Sequence, residues 1–332
     1  MSRKTDKAIE SNILRLPVCD KATPAPEAGT GRPATTQHGQ PDPALHRAAY
    51  DDPSHHLFSK DPRNRPQHQE WMAAELEQAL LDNRFVLHYQ PQYAMGSDRI
   101  VGVEALVRLT TEDGDLILPD NFVPIAEENG FINRLGHWVI REACRQLALW
   151  RASGVGPLRM AVNVSPRQLS DRHLIDIIED AITEFDLEYN DLELEITEQC
   201  MFDYLPLAKN ILQELHDRGL RIAVDDFGTG YSSFAYLAEL PLNVFKIDRS
   251  FLTKITTDGR ARQVVSAMIA MARELDFEIV AEGVETEQQY QFLQTTGCNF
   301  CQGFGLARPD AAAAIEKRLL ITQKVAMASK TY

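Results

Sequence analysis

From about residue 71 the chain repeats one pattern: a short apolar run, then a longer stretch where apolar residues return every three or four positions. The first periodic stretch, "EWMAAELEQALLD", sets Trp71, Leu76, Ala79 and Leu80 at helical spacing. Next, "RFVLHYQPQYAM" alternates, with Phe85, Leu87 and Tyr89 against Val86, His88 and Gln90. It pairs with "RIVGVEALVRLT" across the turn-like "GSD", which predicts a β-hairpin and makes His88 a strand residue rather than a ligand. Pro119 opens "PDNFVPIAEENG", and a long helix follows through "LGHWVIREACRQLALWRASG". The apolar runs "LRMAVNVS", "LELEIT", "LRIAVDDFG", "VFKID", "FEIVAEGVE" and "NFCQGFGLARP" each precede a helical stretch. Among these are "LPLAKNILQELHDRG", "SSFAYLAEL" and a final helix from about Asp310.

Apolar strands alternating with amphipathic helices predict a parallel sheet. The count approaches eight over roughly 250 residues, which suits a closed (β/α)8, or TIM, barrel. An open doubly wound sheet is the alternative. It lacks support, because no G-x-G-x-x-G loop is present and "GTGYSS" has no Gly-Lys-Ser/Thr of a phosphate-binding loop.

Residues 1–68 break the pattern. "KATPAPEAGTGRPATTQHGQPDP" is dense in Pro, Gly, Thr and Ala and has no period. Such a segment buries too little apolar surface to offset its chain entropy. The predicted organisation is therefore a disordered tail, 1–68, before a barrel at 69–325. Within the tail, "SNILRLPV" is a docking candidate for an unknown protein partner, and His55 and His56 lack companions for a metal site.

Charge narrows the function. Lys and Arg total 34 against 48 Asp and Glu, a net charge of -14 over 332 residues, which argues against DNA or RNA as a partner. A small anionic ligand stays compatible, since bound metal ions can reverse the local field. No run reaches membrane-spanning length, and Arg15 and Pro17 interrupt the only signal-like segment, so a cytoplasmic location is expected. Five scattered cysteines agree with a reducing compartment. Cys298 and Cys301 form a lone C-x-x-C, read as small residues packed around a strand.

The chemistry sits where the apolar runs end. There stand Glu104, Asn163, Glu195 with Glu198, Asp225 with Asp226, Lys246 with Asp248, Glu282 with Glu285, and Gln302. Each alone could be a cap, a turn residue or a solvated strand end. Together they would crowd one mouth of a barrel, the face where active sites form. Carboxylates so gathered need cations or shifted pKa values, and oxygen donors favour Mg²⁺, Mn²⁺ or Ca²⁺ over zinc. In "AVDDFGTGYSS" the paired aspartates must diverge, since strand neighbours point to opposite faces. If both bind metals, the strand ends there, and Gly228 and Gly230 supply the backbone freedom that turns the second carboxylate inward. Two ions about 3.5–4 Å apart is the usual arrangement for attack on a phosphate ester.

These residues resemble the EAL-domain family, the cyclic-di-GMP-specific phosphodiesterases. "GVEALVR" carries Glu104, Ala105 and Leu106, and "NVS", "LELEITE", "DDFGTGYSS", "KIDRSF", "AEGVET" and "CQGF" follow in the family's order, from about Trp71 to Pro309. The resemblance implies a modified TIM barrel with one reversed strand, in keeping with the hairpin. It implies hydrolysis of cyclic di-GMP to linear pGpG with two Mg²⁺ or Mn²⁺ ions, inhibition by Ca²⁺, and a homodimer. By motif, Glu104, Asn163, Glu195 and Asp225 would hold one ion and Asp226 would help hold the other. Lys246 would orient the attacking water, and Glu282 would be the general base or act through the metals. Gln90, Arg108, Glu285 and Gln302 would meet the dinucleotide. Glu198 would hold the loop 227–233, including Phe227, Gly228, Thr229 and Gly230, which is linked to metal binding and dimerisation. Leu109 replaces a frequent Trp, and Phe304 replaces the usual Tyr. No GGDEF synthase motif is present. A catalytically silent cyclic-di-GMP receptor, a protein-interaction module and a different metal-dependent barrel hydrolase are the competing readings.

Overall fold

The computed structural model describes residues 65–228, 237 and 239–328, with the backbone alone for 65–69, 200–207 and 325–328. The tail before residue 65, Thr229, Gly230 and most of the predicted "SSFAYLAEL" helix lie outside the described residues.

The hairpin forms as the alternation predicts. β1 (Phe85–Ala94) and β2 (Ile100–Thr110) pair antiparallel, from Phe85 opposite Leu109 to Tyr93 opposite Ile100, with a bulge at Gln92/Tyr93. From β2 the sheet continues in parallel through β4 (Arg159–Asn163), β5 (Leu192–Thr197) and β6 (Arg221–Asp225). It goes on through β7 (Val244–Ile247), β8 (Glu278–Ala281) and β9 (Phe300–Cys301). β9 then pairs antiparallel with β1, which closes an eight-stranded barrel with β1 as its one reversed strand. β3 (Leu116–Ile117) and β10 (Asp310–Ala311) are two-residue additions to β2 and β1.

Helices wrap the barrel. They are α1 (Arg65–Leu81), α2 (Val123–Asn129), α3 (Phe131–Ala152), α4 (Leu174–Glu184) and α5 (Glu198–Asp217). Four more follow: α6 (Arg249–Leu252), α7 (Gly259–Glu274), α8 (Glu287–Thr296) and α9 (Ala312–Ala328). α1 seals one side with Met72, Leu76 and Ala79, whereas Trp71, counted on that face from spacing, is 51% exposed. α5 begins at Glu198, well before the predicted "LPLAKN" start, so Glu198 is the first residue of a helix. The last helix begins at Ala312, because Asp310 and Ala311 are drawn into pairing with Tyr89 and His88.

Strand alternation sorts the parallel strands into two layers. The outward set, including Met160, Val162, Leu192, Leu194, Ile222, Val224, Phe245, Ile247 and Ile279, is buried under the helices in one core. The barrel interior is filled at mid-height by the smaller Ala223, Val244 and Val280 beside Phe300. Above and below that plug the inward positions are polar. At the amino ends of the strands, Arg221 Nε pairs with Glu193 Oε2 at 3.1 Å and Arg159 Nη1 with Glu278 Oε2 at 2.7 Å, and Arg221 also pairs with Glu278. Arg159 lies over the Phe300 ring at 4.8 Å. Pattern reading did not anticipate this charged floor. No described helix is long and apolar enough to cross a membrane.

Candidate active site

At the carboxyl ends of the strands the same inward rows finish in the residues picked out from the sequence. β6 ends at Asp225, and the chain turns at once because Asp226 itself takes left-handed backbone, φ 55°. Gly228, expected to supply backbone freedom here, is also left-handed, φ 92°, so Asp226 and Gly228 share the turn; Gly230 lies outside the described residues. Aspartate tolerates this conformation better than most residues. Asp225 Oδ1 accepts the Asp226 N–H at 2.9 Å, and Asp226 faces the cavity above.

Lys246 stands at the centre with no exposed surface. Its Nζ lies 2.7 Å from Glu282 Oε1, 2.8 Å from Glu195 Oε2 and 3.1 Å from Asp225 Oδ2. Only the contact to Asp225 is aligned as a hydrogen bond. Neither oxygen of Glu195, 1% exposed, nor Glu282 Oε1 has an aligned donor. Glu104 is better served: Asn163 Nδ2 donates to Oε1 at 2.8 Å and Gln302 Nε2 to Oε2 at 2.5 Å. Gln302 also reaches Gln90 Oε1 at 3.3 Å, and Gln90 Nε2 donates to Ala307 O at 3.1 Å.

The electrostatics follow from counting charges in a dry place. At a separation near 4 Å one ion pair is worth about 4 kcal/mol at intermediate dielectric, while desolvation costs several kcal/mol per ion. One ammonium therefore cannot hold every surrounding carboxylate ionised. Burial raises the pKa of Glu195 and Glu282 well above the usual range, with Glu104 adding to the effect at Glu195 and Asp225 at Glu282. Burial also opposes charge on Glu104, but Lys246 and the Gln302 and Asn163 amides outweigh it and hold that carboxyl low. For Lys246, Asp225, Glu104, Glu195 and Glu282 outweigh burial and keep the amine protonated. Burial, with Asp225 and Asp248 nearby, pushes Asp226 up to about 6.

As the side chains stand, no three His, Cys, Asp or Glu among the described residues form a ready metal set. The donors nevertheless suit a hard cation. They are carboxylate oxygens with one amide, they converge on a single cationic nitrogen, and Glu195 is buried with both oxygens lacking an aligned donor.

A cavity of about 770 Å³ opens above the cluster. Its polar wall includes Gln90, Arg108, Asn163, Asp226, Glu285 and Gln302, and Glu104 and Glu282 reach it from below. Asp248, picked out from sequence at the end of its strand but given no role, lines it as well, with Thr197 and Gln199, which sequence reading did not single out. The opposite wall is apolar, with Leu118, Val123, Ile132 and Leu135 supplied by the excursion from β3 to α3. Strand alternation carries no information about that excursion. Arg108 is buried, and its Nη1 donates to Val107 O at 2.8 Å. Outside the cavity, Glu198 Oε2 accepts the Gly228 N–H at 2.8 Å, and Phe227 packs on Phe245 with ring centroids 4.9 Å apart. Cys298 and Cys301 are buried free thiols near β9.

The chain matches the EAL domain over residues 73–309. It belongs to the EAL domain family. Signaling protein YkoW of Bacillus subtilis is 43% identical to this EAL domain chain over 234 residues, 70% of this chain and 29% of that protein. MucR of Pseudomonas aeruginosa, named a bifunctional diguanylate cyclase/cyclic di-GMP phosphodiesterase, is 42% identical over 253 residues, 76% of this chain and 37% of that one. The chain thus spans about a third of the length of the curated relatives it matches. Among solved structures, the PaMucR phosphodiesterase in complex with c-di-GMP superimposes with a TM-score of 0.71 at 42% identity, covering 74% of this chain and 99% of that one.

Proposed function

We propose that this EAL domain hydrolyses cyclic di-GMP to linear pGpG with two divalent cations. The observation that carries the reading is the convergence of Glu195, Asp225 and Glu282 on Lys246 Nζ beneath a cavity of about 770 Å³. The relatives named as cyclic di-GMP phosphodiesterases and the cyclic-di-GMP-bound neighbour support the substrate.

Glu104, Asn163, Glu195 and Asp225 would hold one ion, and Asp226 would help hold the other. When bound, Mg²⁺ or Mn²⁺ supplies Lewis acidity and neutralises the carboxylate cluster. Ca²⁺, which prefers more ligands at longer distance, would compete without supporting turnover. Gln90, Arg108, Glu285 and Gln302 bind the dinucleotide; a guanidinium suits a phosphate oxygen pair. Lys246 orients the attacking water and offsets charge growing on the phosphoryl oxygens. With the burial and repulsion that keep its carboxyl neutral offset by bound cations, Glu282 would be ionised and would then accept the water proton. The water oxygen bonds to phosphorus as the P–O3′ bond breaks, and the 3′ oxygen leaves with the bonding pair and takes up a proton from solvent water, which gives pGpG. Glu198, through Gly228, ties this machinery to the loop 227–233 and to assembly as a homodimer. The tail, 1–68, is assigned either to recruiting a protein partner or to keeping the barrel soluble.

Incubating the purified chain with cyclic di-GMP and either Mg²⁺ or Mn²⁺ is expected to yield pGpG on chromatography. Binding without product under both metals would instead make it a receptor. Failure to bind while cleaving another nucleotide would make it a different hydrolase.

A further inference from the structure

α6 is four residues long, yet two loops and a helix close on it. Gly283, in left-handed backbone at φ 67°, presses so near that an added Cβ would stand 2.3 Å from Arg249 Cβ. At Gly228, φ 92°, an added Cβ would stand 2.7 Å from Phe251 Cζ. The third contact is polar: Gln289 Nε2 donates to Leu252 O at 3.1 Å.

Gln289 belongs to α8 and is 6% exposed. Its Oε1 accepts two backbone N–H groups, from Glu285 at 2.8 Å and from Thr286 at 2.9 Å. The Thr286 bond is half of a capping box, and Gln289 N donating to Thr286 Oγ1 at 3.3 Å is the other half. The bonds to Glu285 N and Leu252 O are not part of capping. They join the continuation of β8, which carries Glu282 and Glu285, to the continuation of β7, which carries Lys246.

That junction lies where the sheet can no longer hold the two strands. The β7–β8 ladder ends with Ile247 opposite Ala281 and a last bond from Glu282 N to Ile247 O at 2.9 Å. Beyond it the ladder gives way to the close approach of Gly283 to Arg249, and each chain then runs into its own helix. A buried amide with one donor and one acceptor engaged on opposite sides restores a cross-connection at that point. Asparagine is too short for such a span, and glutamate lacks the donor.

We propose that Gln289 is a positioning residue: its side-chain amide sets the spacing between the Lys246 strand extension and the Glu282–Glu285 segment. The inference rests on the phosphodiesterase reading for its catalytic consequence, and on hydrogen-bond geometry alone for its mechanical one.

Two variants separate positioning from helix capping. Gln289→Glu keeps acceptor oxygens for Glu285 and Thr286, and so the capping box, but cannot donate to Leu252 O. Thr286→Ala breaks the capping box from the other side and leaves the Leu252 bond in place. In the full chain with Mn²⁺, Gln289→Glu is expected to lower kcat/KM by about 10- to 100-fold, the scale of sub-ångström to ångström misplacement. Thr286→Ala should lower Tm and leave kcat/KM near wild type. Hydrogen exchange should show Gln289→Glu accelerating both 249–255 and 282–286, and Thr286→Ala accelerating only the start of α8. Wild-type kcat/KM in Gln289→Glu, or exchange unchanged at 249–255, would overturn the proposal. If the wild-type chain does not cleave cyclic di-GMP, the functional reading fails by itself. The exchange at 249–255 and 282–286 then decides the positioning role.

Discussion

Glu193 and Glu195 stand two residues apart on β5, face the same barrel interior, and are 2% and 1% exposed. Glu193 sits on the floor, where two arginines, Arg159 and Arg221, balance two carboxylates, Glu193 and Glu278. Glu195 sits at the mouth, where Glu104, Asp225 and Glu282 join it around Lys246. Two residues of one type on one strand thus meet opposite electrostatics, with the apolar layer of Ala223, Val244 and Val280 between them. The difference separates burial from purpose. A buried carboxylate with its own guanidinium is a structural member, whereas one that shares a single ammonium with its neighbours keeps an unmet demand for positive charge.

The comparison breaks most sharply at Glu195. Glu195→Gln is expected to cut phosphodiesterase activity by about 10³-fold, the upper scale for losing one preorganised charge-handling group. Without metal the same variant should be more stable than wild type, because a carboxyl with a raised folded pKa loses stability as pH climbs above its unfolded value. The variant's advantage should therefore vanish near or below about pH 4 and grow toward neutrality, which thermal melts across pH would follow. Equal melts at pH 7 would mean the mouth is as balanced as the floor.

On the floor the signs reverse. Arg221→Met leaves Glu193 buried without its partner and should cost about 3–5 kcal/mol in denaturant unfolding. Its kcat, measured below the melting range, should stay close to wild type. A large loss of kcat in a folded protein would show that the two ends are coupled through the apolar plug.

Metal should act on one end only. Mn²⁺ at a hundredfold excess over its Kd is expected to stabilise the wild type by about 2.7 kcal/mol. Arg221→Met should gain a similar amount, and Glu195→Gln much less, which calorimetric melts with and without the ion would register. The smallest effect belongs to the pair Glu193→Leu with Arg221→Met. Removing both charges together should cost less than Arg221→Met alone, since apolar replacement of a buried pair is often close to neutral. Additive losses would argue that Glu193 is held by something other than Arg221.

Much of this was legible in residue order. The alternation 85–90 announced the hairpin, and the polar residues closing each apolar run marked the mouth. What escaped has identifiable causes. The floor pairs join β5 to β6 and β4 to β8, far apart in sequence and silent in a strand's own pattern. Trp71 fits a helical face by spacing but stands 51% exposed, because spacing does not say how wide the covered stripe is. The turn after Asp225 was expected from neighbouring glycines, and Gly228 does take φ 92°, but the left-handed backbone of Asp226 itself, φ 55°, was not foreseen.

By itself the sequence determined the order of strands and helices, the inward and outward rows of each strand, and which side chains end those rows. Local sterics and a period of two residues suffice for that. Closure of the sheet decided the rest: that Lys246 would stand at the centre of the carboxylates, that Glu193 would find Arg221 while Glu195 would not, and that Gln289 would reach Leu252. These depend on distances across the barrel, and only the three-dimensional packing of all eight strands sets them.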